Sequence, residues 1–211
     1  MLKIIVHAIG RSILSLFFGI PAVKPLPDSQ CIVISNHNTH LDTLILFRLF
    51  PLHRVRKVKV IAAQDYFSRG IGGFLGRLVF NLILLERRAT KAATALEPIA
   101  EALRQGFSII VFPEGTRGDP GVIQPFKSGI GKLAVDFPEL PVYPVFLSGI
   151  EKTLPRGGSL PVPFCINLVV KPPVFGRDFL HLDPSQARKQ CAARLEEIIR
   201  QAASEGANPT G

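Results

Sequence analysis

Short, β-branched or apolar runs alternating with stretches of helical periodicity are the feature that most restricts how this chain can fold. The runs are Cys31 to Ser35, Val58 to Ala63, Leu82 to Leu85, Phe107 to Phe112, Val142 to Leu147 and Cys165 to Val170. Each is too short for a helix of ordinary length and too continuously apolar for a strand with one wet face, so each reads as a covered strand. Between them Leu96, Ile99, Ala100 and Leu103 recur at i, i+3, i+4 and i+7, with Thr90 as N-cap and Gly106 as stop. Near the end, Asp183-Pro184 supplies a cap and a first helical residue, Ala187, Cys191, Leu195, Ile198, Ile199 and Ala202 form an apolar stripe, and Gly206 ends it. The alternation predicts an α/β fold: a mixed, largely parallel sheet covered by helices, with an N-terminal amphipathic membrane-surface helix.

A length of 211 residues suits one domain with a real core. The expected division is an N-terminal membrane-associating helix over 1–23, a single α/β domain over 24–206 and a tail over 207–211, with Pro21 to Pro27 as linker and fraying from Ser204 onward. Hydrophobic residues at 47% against 19% charged leave no room for extended disorder.

Within the first segment, Lys3, His7, Arg11 and Ser15 recur every four residues and fall on one helical stripe, opposite Leu2, Ile5, Ile9, Ile13, Leu16, Phe17 and Ile20. Arg11 near the middle would cost about 2.5–3.5 kcal/mol in a spanning helix. Pro21-Ala22-Val23-Lys24 offers no small-residue cleavage site for a signal peptide. A helix lying in the membrane interface fits best, with a buried core helix as the alternative.

Lysine and arginine exceed aspartate and glutamate by 25 to 16, a net charge of +9, which points to phosphate-bearing or anionic partners. No Trp and two Tyr leave few stacking platforms for single-stranded nucleic acid, so none is expected as a partner. The basic run from His53 to Lys59 suits anionic lipid or a solvated edge equally. Cys31, Cys165 and Cys191 are far apart in apolar settings and imply neither a disulfide framework nor a metal site, as in a reducing compartment.

Two polar segments follow predicted strands, where functional loops concentrate. Ser35-Asn36-His37-Asn38-Thr39-His40-Leu41-Asp42 places a carboxylate five residues after a histidine. If the chain turns between them, the carboxylate fixes the imidazole tautomer and the other ring nitrogen can deprotonate a hydroxyl. The bland alternative makes Asn36, Asn38 and Thr39 turn residues and His37 a local hydrogen-bonder. Phe112-Pro113-Glu114-Gly115-Thr116-Arg117 offers a backbone free to approach a ligand, a hydroxyl and a guanidinium fork suited to phosphate, or else a plain turn.

Together, N-H-x-x-x-x-D followed by F-P-E-G-T-R resembles the signature of the glycerolipid acyltransferase family. Pro125-Phe126-Lys127-Ser128-Gly129 resembles the segment after the second motif, and Leu140-Pro141-Val142-Tyr143-Pro144-Val145 the proline-containing last one, so the likeness runs from about Ile32 to Gly149. Asn81 to Arg87 stands where the family carries an acceptor-binding arginine, although the family often has glycine for Asn81 and aspartate for Glu86, and Arg88 follows at once.

The resemblance implies that His37 is the general base and Asp42 its orienting partner. It implies that Glu114, Gly115, Thr116 and Arg117 bind the glycerol phosphate of a lysophospholipid, with Arg87 and Lys127 adding positive charge. The implied reaction moves a fatty acyl group from acyl-CoA or acyl carrier protein onto the acceptor's free hydroxyl, lysophosphatidate (1-acylglycerol-3-phosphate) giving phosphatidate. A thioester is already activated, so no cofactor or metal is expected. The implied place is peripheral or monotopic, on the cytoplasmic face of an anionic membrane surface. A different lysolipid or lipid alcohol as acceptor stays open, because Gly118 stands where the family often has serine, and so does a non-catalytic basic lipid-binding module.

Other glycines do not complete phosphate loops. Gly70 to Gly76 lacks the Lys-Ser/Thr ending, and before Gly131-Lys132 the position of the first motif glycine holds Phe126. The first set suits close packing or an acyl-chain channel. His37, His40 and Asp42 lack neighbours to complete a metal shell.

Overall fold

The structure, a computed structural model, describes residues 2–17, 23–37, 39, 41–63, 80–85, 92–115, 122–149 and 166–207. Helix α1 is Leu2–Phe17; then come β1 (Ile32–Ser35), α2 (Leu41–Leu46), 3-10 turns at Phe47–Leu49 and Leu52–Lys57, β2 (Val58–Ala63) and β3 (Asn81–Leu85). Helix α3 (Ala92–Arg104), β4 (Ser108–Val111), α4 (Gly129–Asp136), β5 (Pro141–Ser148), β6 (Asn167–Val170), β7 (Val174–Phe175), a 3-10 turn at Gly176–Phe179 and α5 (Pro184–Ala207) complete the described elements.

The strands form one sheet in the order β3-β2-β4-β1-β5-β6. All four pairings from β3 to β5 are parallel, and β6 and β7 both run antiparallel to β5. This is the expected mixed, largely parallel sheet. All four residues of β1 and of β4 are buried, as strands covered on both faces must be.

Alternate residues feed two cores. Val33, Val60, Ile110 and Val145 pack under α2 and the 3-10 turns with Ile45, Leu46, Phe47 and Phe50. Ile32, Ile34, Ile109 and Val142 pack with Ile99 and Leu103 of α3, Ile130 and Leu133 of α4, and Cys191, Leu195 and Ile199 of α5. The cap at Asp183 is made: its Oδ1 accepts from the amides of Ser185 and Gln186 at 3.0 and 3.2 Å. Helix α4 lies so close to α5 that a Cβ on Gly131 would stand 1.9 Å from the Arg188 carbonyl oxygen.

Four features depart from the sequence reading. Helices α2 and α4 span only 6 and 8 residues, too few turns for periodicity to register. Strand β7 has two residues, held by pairing with Pro141 and Val142. The last helix continues through Gly206 to Ala207, so the first four residues of the stretch expected to fray are helical, and 208–211 lie outside the described residues. Most consequentially, His7 and Arg11 of the polar stripe of α1 face the protein. His7 is buried against Phe47 and Phe80, with ring centroids at 4.5 and 6.0 Å. The Arg11 guanidinium donates to the carbonyls of Phe47 and Phe50, and Arg48 donates back to the Arg11 carbonyl and the Ser15 hydroxyl. Burial, then the nearby Arg48 charge, lowers the Arg11 pKa. The outward side is the apolar one: Ile5, Ile9 and Ile13 are 49%, 54% and 49% exposed. No helix among the described residues is long and apolar enough to cross a membrane.

Candidate active site

In an open α/β sheet, a crevice forms beyond the carboxyl ends of two neighbouring strands whose chains leave toward opposite faces. β1 and β4 are such a pair. β1 continues into α2 on one face, and β4 leads to α4 on the other. His37 follows β1 and Glu114 follows β4, so both motifs arrive at this switch point.

Asn36 anchors the end of β1. Its side-chain amide donates to the Leu147 carbonyl and accepts from the Leu147 amide, both at 2.9 Å, and so satisfies β5 where the ladder stops. The chain then turns, and Asp42, wholly buried in the first turn of α2, reaches back to His37. Its Oδ2 accepts from His37 Nδ1 at 2.9 Å and from the Thr39 amide at 2.8 Å, while Oδ1 takes the Thr39 hydroxyl at 3.3 Å. A carboxylate can only accept, so Nδ1 carries the proton and Nε2 of the neutral ring is left as a base. The imidazole stacks on Phe112, centroids 4.1 Å apart and planes 22° apart, which fixes its tilt.

Glu114 is buried, and its two oxygens take backbone amides: His37 N–H at 2.9 Å and Gln124 N–H at 2.9 Å. Burial raises its pKa, opposed by these hydrogen bonds. Gly115 adopts φ +75°, a conformation favouring glycine, and Lys127 lies across it: an added Cβ would stand 2.4 Å from Lys127 Nζ. The Lys127 amide also donates to the Pro113 carbonyl at 3.0 Å.

The structure thus brings His37, Asp42, Glu114, Gly115 and Lys127 together beyond the carboxyl ends of β1 and β4. Arg87, Thr116 and Arg117 lie outside the described residues, as do Asn38, His40, Cys165 and the Gly70 to Gly76 stretch. Cys31 and Cys191 are buried free thiols, both pushed up to about 11 by burial. The sequence reading missed the work of Asn36, Thr39, Phe112 and Gln124. For Thr39 the spacing to Asp42 was a usable signal, since a threonine three residues before a carboxylate at a helix start favours mutual hydrogen bonding. Gln124 acts only through its backbone, which no side-chain motif reveals.

A histidine oriented by a buried carboxylate at the switch point of a parallel sheet has the geometry with which an imidazole can accept a proton from a hydroxyl group. The chain belongs to the Acyltransferase family, whose model matches residues 20–148. It is 31% identical over 122 residues to the human 1-acyl-sn-glycerol-3-phosphate acyltransferase beta, covering 57% of this chain and 42% of that protein. The 1-acyl-sn-glycerol-3-phosphate acyltransferase of Limnanthes alba is 30% identical over 175 residues, 80% of this chain and 59% of the relative. The chain therefore spans about two fifths to three fifths of these relatives. The fold resembles the crystal structure of the 1-acyl-sn-glycerophosphate acyltransferase PlsC from Thermotoga maritima, with a TM-score of 0.75 over 98% of this chain and 80% of that one, at 22% identity.

Proposed function

We propose that this protein is an O-acyltransferase that transfers a fatty acyl group from acyl-CoA or acyl carrier protein to the free hydroxyl of a lysophospholipid, with lysophosphatidate as acceptor and phosphatidate as product. The observation that carries this reading is the 2.9 Å contact between His37 Nδ1 and the buried Asp42 carboxylate, with Nε2 left as base. Nε2 removes the hydroxyl proton as the acceptor oxygen attacks the thioester carbonyl. The tetrahedral intermediate then collapses, the C–S bond breaks, and the imidazolium returns the proton to the departing sulfur. Asp42 stabilises the imidazolium between these steps. Alignment of two bound substrates supplies much of the remaining acceleration.

For the acceptor's phosphate, Lys127 beside the Gly115 backbone offers positive charge at the lip of the crevice, and Arg87, Thr116 and Arg117 are proposed to complete that site. Glu114 serves it indirectly: a carboxylate repels phosphate, and both of its oxygens are engaged in holding the two loops together. The reaction as written needs no cofactor.

The exposed ridge of Ile5, Ile9 and Ile13 supports a monotopic seat on a membrane surface, and the proposal places that seat on an anionic surface at the cytoplasmic face. Incubation with acyl-CoA or acyl carrier protein thioester and a mixed lysolipid panel, read by mass spectrometry, tests the assignment. Phosphatidate should dominate the products. Another acylated lysolipid would move the acceptor, and no acylation of any panel member would overturn the reaction.

A further inference from the structure

We propose that Glu196 and Arg200 of the terminal helix α5 are positioning residues for the acceptor site, clamping from outside the strap 122–127 that Glu114 holds from inside. The inference rests on the proposed reading of Lys127 as a phosphate contact.

The strap is irregular backbone between the Phe112–Gly115 turn and α4, so its amides and carbonyls need partners from elsewhere. On the inner side Gln124 N–H goes to Glu114 Oε2 at 2.9 Å and Lys127 N–H to the Pro113 carbonyl at 3.0 Å. On the outer side Phe126 N–H goes to Glu196 Oε2 at 2.8 Å, and Arg200 Nη2 donates to the Ile123 carbonyl at 3.1 Å. Arg200 Nε binds the other Glu196 oxygen at 2.8 Å, so the two side chains act as one fork gripping two points of backbone.

A pair four residues apart on a helix surface, half-buried on the Glu196 side and exposed on the Arg200 side, contributes little to folding by itself. Its geometry here serves another purpose, because Phe126 directly precedes Lys127. The Ile123 and Phe126 side chains also pack against the core shared by α3, α4 and α5. With the fork in place, Lys127 Nζ is fixed over Gly115. Without it, the strap keeps its apolar anchors and its inner hydrogen bonds but loses the two outer bonds that set its height. Both residues lie beyond 20–148, the part that matches the family model.

A double-mutant cycle of Glu196→Ala with Lys127→Ala tests the clamp, using the lysolipid the panel identifies as the best acceptor and amide hydrogen exchange by NMR. Glu196→Ala should raise the acceptor KM roughly threefold to tenfold, the scale of coupling within a shared hydrogen-bond network, with donor KM and kcat within about twofold. In the Lys127→Ala background it should add nothing. Phe126 amide exchange should quicken about tenfold or more, and Glu196→Gln, which keeps an acceptor but loses the Arg200 ion pair, should fall between. Additive effects in the cycle, an unchanged acceptor KM, or Phe126 exchange equal to wild type would each overturn the proposal. If no panel lysolipid is acylated, the functional reading fails by itself, and the exchange rate of Phe126 still decides whether the clamp exists.

Discussion

The His37 site buries its carboxylates and the seam beneath α1 half-buries its arginines, but the seam gathers its partners from distant parts of the chain. At the site, Asp42 and His37 are five residues apart, and Thr39 between them closes the same turn. At the seam, Arg11 reaches carbonyls 36 and 39 residues away, and Arg48 answers from the far side. A local polar cluster announces itself in the sequence. A polar stripe on a helix announces only that two sides differ, and which of them meets the protein depends on what waits there: here, the carbonyl ends of a 3-10 turn that need donors.

That contrast predicts separable failures. His37→Ala should lower kcat by roughly 10²–10⁴, the contribution of a general base, while the melting temperature barely moves. Thioester turnover and thermal unfolding of the same preparation check it. Near-normal turnover in the folded variant would remove His37 from the chemistry and leave the two regions alike in being merely structural.

Arg11→Met should do the reverse. It takes from the Phe50 carbonyl its Arg11 donor and from the Phe47 carbonyl one of two donors, the Phe50 amide at 3.2 Å remaining, at a cost of about 1–3 kcal/mol for a group left stranded. In a chain of this size each kcal/mol is about 2–4 °C in melting temperature. The kcat on detergent-dispersed substrate should hold. A variant as stable as wild type would mean that Arg11 contributes no more than a surface residue and that the seam is not a true interior.

Ile9→Asp probes the outward side of the same helix. Being 54% exposed, Ile9 contributes little to folding, but its apolar side chain is worth about 1.5–3 kcal/mol when fully withdrawn from water. Partial insertion should therefore weaken binding to anionic vesicles roughly tenfold with stability unchanged. Sedimentation with vesicles measures it, and undiminished binding would place the membrane contact elsewhere.

Much of the architecture was legible because burial on two faces leaves a strong mark. Val33 and Ile34 point to opposite cores and are both apolar, so β1 reads as a continuous apolar run. The dyad was legible for the reason given above, and Asp183-Pro184 because a cap is a local event. What escaped was non-local or short. Glu114 carries a charge that suggests a ligand, and only the structure shows both of its oxygens spent on the backbone of His37 and Gln124. Gly131 looks like part of a failed phosphate loop, and its reason is the Arg188 carbonyl on a helix more than fifty residues later. Strand β7 exists because β6 covers only Val145 to Ser148 of β5 and leaves Pro141 and Val142 to pair, which no property of Val174 and Phe175 alone conveys.

The smallest expected effect concerns the cost of burying Glu114 within the site. Burial lifts its carboxyl above the ordinary value of 4.5, the amides of Gln124 and His37 pulling the other way. The folded chain then holds the Glu114 proton more tightly than the unfolded chain does. The stability tied to that proton is full below the unfolded value and is lost as pH rises through the folded one. Glu114→Gln has no such proton, and the carboxylates common to both chains cancel in a comparison. The melting temperature of wild type minus that of the variant should therefore decline as pH rises through the window just above 4.5, and level off beyond it. A difference that instead grows with pH over the same window would mean that the two amides outweigh burial and hold the carboxyl below its ordinary value. Glu114 would then be a buried carboxylate whose stabilising hydrogen bonds exceed the cost of removing it from water.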